Sequence, residues 1–364
     1  MRPISLYIHV PFCTRRCSYC SFYHVARNPE HESGYLEALL DELTWALADI
    51  GEVRFETVFV GGGTPSTLGA GGLERIVTAL EGRIASGAEV TCELNPEDVT
   101  AGLAAALVEL GVNRVSLGVQ SMDAAAQGVL KRCSPPVNRR AIDLLARHFE
   151  NMSFDVLLGI PGSSPAVTRT TLDELVALRP AHLSVYCLEP GGDMGREVER
   201  FFDRVDPERS ADEYLETCAV LGRAGYRHYE VSNFARHGFD SMHNRVYWSG
   251  GEYLGLGPGA HSFIAGKRFH NPPSLQDYLS RRGPQRAAAR VVDAVDDEGS
   301  HLERAMLALR TDRGMPLAWA RCPRETIDGF VAEGLARRVD DRLVLTDRGF
   351  LVTNDVLLRV CAAA

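Results

Sequence analysis

The 364 residues contain only two lysines, Lys131 and Lys267, so arginine carries nearly all of the positive charge. The scarcity is compositional and carries no mechanism. Positive charge is also in deficit: 39 Lys and Arg stand against 48 Asp and Glu, for a net charge of −9. That excludes a nucleic-acid binder working through its overall field, because phosphate binding needs clustered cations. No apolar run approaches the ~18 residues of a membrane-crossing helix. The short apolar start, "MRPISLYIHVPF", runs into cysteines with no small-residue cleavage pattern. It reads as a first strand and not as a signal, so the expectation is a cytoplasmic protein that meets membranes only through a partner. A disulfide frame is missing too. Cys92, Cys133, Cys187, Cys218, Cys322 and Cys361 are scattered along the chain, as small core residues are in a reducing compartment.

What is present is an ordinary core-forming composition, 45% hydrophobic and 24% charged, in a chain long enough for one barrel-sized α/β domain and a smaller one. Short β-branched or aromatic runs recur at "SLYIHV" (5–10), "TVFVGGG" (57–63), "EVTCELNP" (89–96), "RVSLGVQS" (114–121), "FDVLLGIP" (154–161) and "HLSVYCLEP" (182–190). Between them lie helical patterns at 33–50, 71–84, 100–111, 139–149 and 168–179. Alternating strand and helix implies a parallel sheet with right-handed crossovers. Six units are too few for a closed eight-stranded barrel, so an open, partial (β/α)6 barrel is expected.

Working residues of such barrels gather at the carboxyl ends of the strands. There this chain keeps its cysteine loop, Gly61-Gly62-Gly63-Thr64-Pro65, Glu93-Leu94-Asn95-Pro96 and Gln120-Ser121, with Asp155 in strand five. Past residue 190 the rhythm changes. A helix near 208–224 leads to "YRHYEVSNFARHGFDSMHNRVYW" (226–248), the glycine-rich "YLGLGPGAHSF" (253–263) and "GPQRAAAR", which reads as a loop or linker. The end of the chain has helical patterns and a β-hairpin turning at Asp340-Asp341, as in a winged helix, with Arg and Asp alternating and no basic face.

The stretch "PFCTRRCSYC" places Cys13, Cys17 and Cys20 on one loop with no fourth cysteine nearby. A structural zinc site closes its tetrahedron with four protein ligands, and His9 or His24 could complete one here. A [4Fe–4S] cluster held by three cysteines instead keeps one iron open for a small bidentate ligand.

Read together, "YIHVPFC", "CTRRCSYC", "GGGTPS", "ELNP", "RVSLGVQS", "FDVLLGIPG" and "YEVSNFARHGFDSMHNRVYW" resemble the radical S-adenosylmethionine (SAM) superfamily. The closer likeness is to its oxygen-independent coproporphyrinogen III oxidase group and the heme chaperone branch within it. The resemblance runs from about Tyr7 to Ser262. It implies a partial radical SAM barrel over 1–200, a barrel extension over 201–290, and a smaller winged-helix-like α+β domain over 291–364.

The resemblance also implies that Cys13, Cys17 and Cys20 ligate the cluster and that SAM chelates its open iron. An electron from the reduced cluster, delivered by a donor such as flavodoxin or ferredoxin, then breaks a carbon–sulfur bond of SAM to give a 5′-deoxyadenosyl radical. Tyr7 and Tyr19 match aromatics that touch SAM, Gly62, Gly63 and Thr64 match the glycine turn at its methionine moiety, and Glu93, Gln120, Arg132 and Asp155 match its polar contacts. Taken singly, Glu93 as a surface strand end, Arg132 as a solvated helix terminus and Asp155 as a helix cap are equally open readings.

"HNRVYW", His243 to Trp248, matches a motif associated with heme in the chaperone branch. Imidazole is a common axial ligand and the aromatics could stack on a porphyrin. Equally, His243 could hydrogen-bond a loop while the aromatics pack inside. Two departures from the group stand out. The run Cys20-Ser21-Phe22 lacks the further cysteine that the oxidases carry, and Cys133-Ser134-Pro135-Pro136 follows Arg132 where a histidine is common. The expected function is therefore a heme chaperone passing heme, or another tetrapyrrole, to an acceptor hemoprotein. A coproporphyrinogen oxidase is the rival and a zinc module the third reading.

Overall fold

The computed structural model describes residues 1–189, 196–294 and 296–362, with the side chains of 196 and 197 left aside. Pro190, the last residue of the sixth strand stretch, lies outside the described residues. Six strands follow one another across the sheet: β1 (Arg2–Val10), β2 (Val53–Gly62), β3 (Ile84–Leu94), β4 (Arg114–Gln120), β5 (Met152–Leu158) and β6 (His182–Cys187). Each is parallel to the next, and helices connect them, as the alternating pattern implies. The helical stretch 71–84 stops early, at Ala79, and Ile84 already opens β3. Gly82 lies between them at φ 73, which breaks the helix.

Period-two alternation sorts the strand side chains. Val58, Val60, Val90, Cys92, Val115, Leu117, Phe154 and Val156 are buried in the apolar core. The alternate positions are polar: Ser5, Thr57, Glu89, Arg114, Ser153 and His182 toward the strand starts, with Ser116 and Ser184 further along. These meet across the interior, as when Thr57 donates to Ser5 Oγ at 2.7 Å and Ser153 Oγ lies 2.8 Å from His182 Nδ1. The lumen is polar where the outer wall is oily.

The sheet does not close. Beyond β6 it continues through two short antiparallel strands, β8 (Asn233–Ala235) and then β7 (Arg227–Glu230). Beyond β1 lies β9 (Tyr253–Leu256), a seventh parallel strand, followed by antiparallel strands at His261–Ile264, Lys267–His270 and Val291–Val292. The stretch around β9 is the glycine-rich one of the sequence. Its glycine is there for packing: a Cβ on Gly255 would stand 2.0 Å from His261 O, so only glycine lets the next strand fold back this closely.

"GPQRAAAR" is a correction. It forms a helix, Gly283–Ala288, and not a linker. Arg286 anchors it from within, donating to Ala38 O at 2.9 Å and Tyr278 O at 3.0 Å with its guanidinium over the Tyr278 ring.

The C-terminal unit has helices at Asp297–Leu309, Arg324–Ala332, Asp347–Leu351 and Thr353–Cys361 around a three-stranded antiparallel sheet. Its hairpin, Ala336–Val339 with Arg342–Leu345, turns at Asp340, which takes φ 51. Helix, strand, helix, hairpin is the winged-helix-like order. The unit docks on the sheet edge through a bridge between Glu230 and Thr311 and through Arg245, which donates to Asp312 at 2.8 Å. No helix among the described residues is long and apolar enough to cross a membrane.

Candidate functional site

The chain leaves β1 at Val10 and enters the cysteine loop, whose base is pinched by a short parallel pairing of Phe12–Cys13 with Val25–Ala26. Val25 N–H donates to Pro11 O at 2.7 Å and Arg27 N–H to Cys13 O at 3.0 Å. All three cysteines are free thiols, and each has a polar neighbour. Thr64 Oγ1 donates to Cys13 Sγ at 3.6 Å, Arg132 Nη1 to Cys17 Sγ at 3.5 Å, and His24 Nδ1 lies 3.9 Å from Cys20 Sγ. Burial pushes the Cys13 thiol up to about 11 and raises that of Cys20. Thiols raised in this way release protons on ligating a metal.

The loop caps a cleft of about 340 Å³ at the carboxyl ends of the strands. Eleven of the thirteen expected residues converge there: Cys13, Cys17, Cys20, Tyr19, Gly62, Gly63, Thr64, Glu93, Gln120, Arg132 and Asp155. Glu93 Oε2 accepts from Gly62 N–H at 2.9 Å, fixing the glycine turn against β3. Asn95 Nδ2 donates to Thr64 Oγ1 at 2.8 Å, so a relay of hydrogen bonds runs from β3 through Thr64 to Cys13.

Arg132 follows the helix Ala124–Leu130, but its guanidinium turns inward to Gly118 O at 2.6 Å, and its buried Nε has no partner. It is not a solvated helix end. Nor is Asp155 a cap: it lies within β5 and accepts from Ser116 Oγ at 3.0 Å. Burial, reinforced by Asp155, raises the Glu93 carboxyl to about 7, and burial lifts that of Asp155 to about 6. Two carboxyls that readily hold protons, an inward guanidinium and three thiols form a donor set suited to a polar, cationic ligand beside a metal centre.

Two expected residues are not in this cleft. Tyr7 sits one layer deeper, its hydroxyl 3.0 Å from His9 Nδ1 and its ring 6.1 Å from that of Phe59. His243 lies deeper still, toward the strand starts. Its helix, Met242–Trp248, is capped by the buried Glu89 carboxylate, which accepts from Met242 and His243 N–H at 3.0 Å each. Both ring nitrogens are engaged, Nδ1 with Thr57 Oγ1 at 2.7 Å and Nε2 with Tyr247 OH at 2.8 Å. Burial and nearby Arg114 press its pKa down to about 3, so the ring is neutral. As seated, His243 is a hydrogen-bonded core residue with no free nitrogen for a heme iron.

The sequence reading placed Asn95 at a strand end without giving it a role and left Ser116, Gly118 and Tyr186 out of the site, although all line the cleft. Their signal was the polar alternate position: 93 and 95, 116 and 118, 184 and 186 each fall on one strand face.

The Radical SAM superfamily model matches residues 7–175. Among curated proteins, the heme chaperone HemW of Mycobacterium tuberculosis H37Rv is 35% identical, over 98% of this chain and 94% of its own length. That of Lactococcus lactis is 31% identical over 98% and 96%. This chain belongs to the radical SAM superfamily, in the HemW group. Among solved structures, the coproporphyrinogen III oxidase HemN of Escherichia coli superimposes with a TM-score of 0.85 at 21% identity, covering 99% of this chain and 90% of that one. The likeness in fold extends through the C-terminal unit. Membership implies a [4Fe–4S] cluster and SAM, and the cleft's three thiols and inward polar groups fit both.

Proposed function

We propose that the protein is a HemW-like heme chaperone that holds a [4Fe–4S] cluster at Cys13, Cys17 and Cys20, binds SAM in the adjoining cleft, and passes heme to an acceptor hemoprotein. The observation that carries this reading is the convergence of three sulfurs from one pinned loop on a cleft walled by polar strand ends. When bound, the cluster and SAM supply one-electron chemistry. The chain's own residues orient the ligand and keep water out. Glu93 and Asp155 offer carboxylates to its cationic groups, Gln120 and the Arg132 guanidinium offer hydrogen bonds, Tyr19 gives an apolar wall, and Gly62, Gly63 and Thr64 hold the turn facing the methionine end. Tyr7 acts through His9, whose Nε2 donates to the Tyr23 carbonyl while its Nδ1 lies 3.0 Å from the Tyr7 hydroxyl.

The chaperone is preferred to the oxidase because Phe22, 71% exposed, stands where the oxidases carry a further cysteine. An electron donor such as flavodoxin or ferredoxin meets the exposed cluster loop, and the setting is cytoplasmic. The same reading divides the chain into a core of 1–200, an extension of 201–290 and a C-terminal unit of 291–364.

Anaerobic reconstitution tests it. About one oxygen-sensitive [4Fe–4S] cluster per chain is expected, lost on changing Cys13, Cys17 or Cys20 singly to Ala and kept on changing Cys322. The reconstituted protein should bind heme and leave coproporphyrinogen III unconverted with reductant and SAM. Robust formation of protoporphyrinogen would move the protein to the enzyme class. His243→Ala should leave the heme spectrum unchanged while costing about 2–4 kcal/mol of stability, because it empties a buried site and strands Thr57 and Tyr247. A shifted Soret band in a folded His243→Ala protein would instead put His243 on the iron.

A further inference from the structure

Away from the cleft, Cys218, His228 and Asp347 come together where the barrel edge meets the C-terminal unit. Cys218 is on the helix Pro207–Arg223, His228 on β7, and Asp347 opens the helix Asp347–Leu351. One donor atom from each lies within 4.8 Å of the other two. His228 Nδ1 is the shared point, 2.8 Å from Asp347 Oδ1 and 3.8 Å from Cys218 Sγ.

Hydrogen-bond bookkeeping singles out that nitrogen. Tyr214 OH gives its proton to Val231 O at 2.8 Å. His228 Nε2 lies 3.3 Å from both that carbonyl and the Tyr214 oxygen, and with the phenol proton committed both act as acceptors. In the tautomer with the ring proton on Nε2, Nδ1 points its lone pair at the Asp347 carboxylate 2.8 Å away, and a metal ion or a second ring proton completes that contact. An imidazole whose far N–H is tied to a backbone carbonyl is the arrangement that sets a histidine as a metal ligand. Its orientation is fixed as well, since the ring stacks on Phe234 at 4.1 Å and meets Phe350 at 4.9 Å.

We propose that Cys218, His228 and Asp347 form a site for a zinc-class divalent ion, separate from the cluster loop, which clamps the C-terminal unit to the barrel. Tetrahedral zinc with sulfur, nitrogen and oxygen ligands sets donor separations of about 3.3–3.6 Å. The distances from His228 Nδ1 to Asp347 Oδ1 and to Cys218 Sγ, 2.8 and 3.8 Å, bracket that range, so small side-chain shifts suffice. Cys218 is buried, whereas the Asp347 side chain is 50% exposed, which leaves a path for the ion and a water as fourth ligand. A mixed sulfur, nitrogen and oxygen set favours zinc over magnesium or calcium.

The test uses the full-length chain with Cys13→Ser, Cys17→Ser and Cys20→Ser, so that the cluster thiols cannot take the ion, titrated with cobalt(II) and then zinc(II). Expected is one equivalent of cobalt with a thiolate charge-transfer band and tetrahedral visible bands, displaced by zinc, with zinc raising the melting midpoint. Adding Cys218→Ser should remove the charge-transfer band. Asp347→Asn and His228→Gln should each weaken binding at least about tenfold. Cys218→Ser is nearly isosteric and carries the test alone if His228→Gln misfolds, with circular dichroism as the control. No thiolate band in the parent, or a band undiminished by Cys218→Ser, overturns the site. So does a melting midpoint that Asp347→Asn lowers equally with and without zinc, which would mark a plain imidazolium–carboxylate pair.

Discussion

Glu93 is the residue where burial, hydrogen bonding and ligand charge pull against one another. Its carboxyl is raised from the ordinary 4.5 to about 7 by burial and by Asp155, while the Gly62 N–H bond favours the ionised form. The folded chain thus holds a proton that the unfolded chain has lost between about pH 4.5 and 7. That contribution to stability is full below the window and fades as pH climbs to about 7. A cationic ligand reverses the preference, because an ammonium or sulfonium beside Glu93 stabilises the carboxylate. SAM affinity of the cluster-loaded protein is therefore expected to rise several-fold from pH 6 to pH 8 and then level off, with Glu93→Gln weakening and flattening the profile. Calorimetric titration at several pH values reads this directly. An equally steep rise in Glu93→Gln would assign the ionisation to another group.

The glycine turn after β2 is the element on which the cysteine loop rests. A Cβ on Gly63 would stand 2.7 Å from Phe12 O and 2.9 Å from Val10 O, backbone atoms that cannot swing aside. Gly62 adds φ 106, and its Cβ would meet His9 Nδ1 at 2.4 Å. The sequence reading tied these glycines to the methionine moiety of SAM, but the protein's own loop already demands them. Gly63→Ala should accordingly displace the loop and cut reconstituted iron and sulfide to less than half, though all three cysteines remain. Gly71→Ala, exposed on the helix Gly69–Ala79 with nothing within 4 Å of its added carbon, should leave cluster content unchanged. Iron analysis with far-ultraviolet circular dichroism compares the two.

Elements of this kind were legible in part. The six strands and their order followed from β-branched runs spaced by helical stripes, and the strand-end polar residues named most of the cleft because strand carboxyl ends point one way. Burial of Arg286 and the tight pass at Gly255 were not legible, since each depends on a neighbour that sequence does not place. The seating of His243 was not legible for the same reason: its partner Thr57 lies 186 residues away, and only the folded barrel brings the motif helix beneath the lumen.

At the scale of the whole molecule, one buried carboxylate joins the first helix to the last part of the extension. Glu42, 1% exposed on the helix Pro29–Ile50, accepts from Gly257 N–H at 2.9 Å, Asn271 Nδ2 at 2.7 Å and Tyr278 OH at 2.6 Å, with Arg290 3.6 Å away. These partners belong to the segment that supplies the seventh parallel strand, β9, and covers the β1 edge. The segment also reaches the cluster loop, because Leu275 N–H donates to Tyr23 OH at 2.6 Å while Tyr23 O is bonded to His9 at 3.0 Å. Removing one partner of a buried charged network leaves the others unsatisfied, at a cost of about 3–5 kcal/mol. Glu42→Ala should therefore lose that much stability in urea titration and expose 283–290 to proteolysis. Because the loosened segment releases Tyr23, Glu42→Ala should also lose its cluster faster to a chelator than the wild type, at temperatures where both remain folded. Equal chelation rates, with the stability loss present, would mean that the extension braces the barrel without steadying the loop.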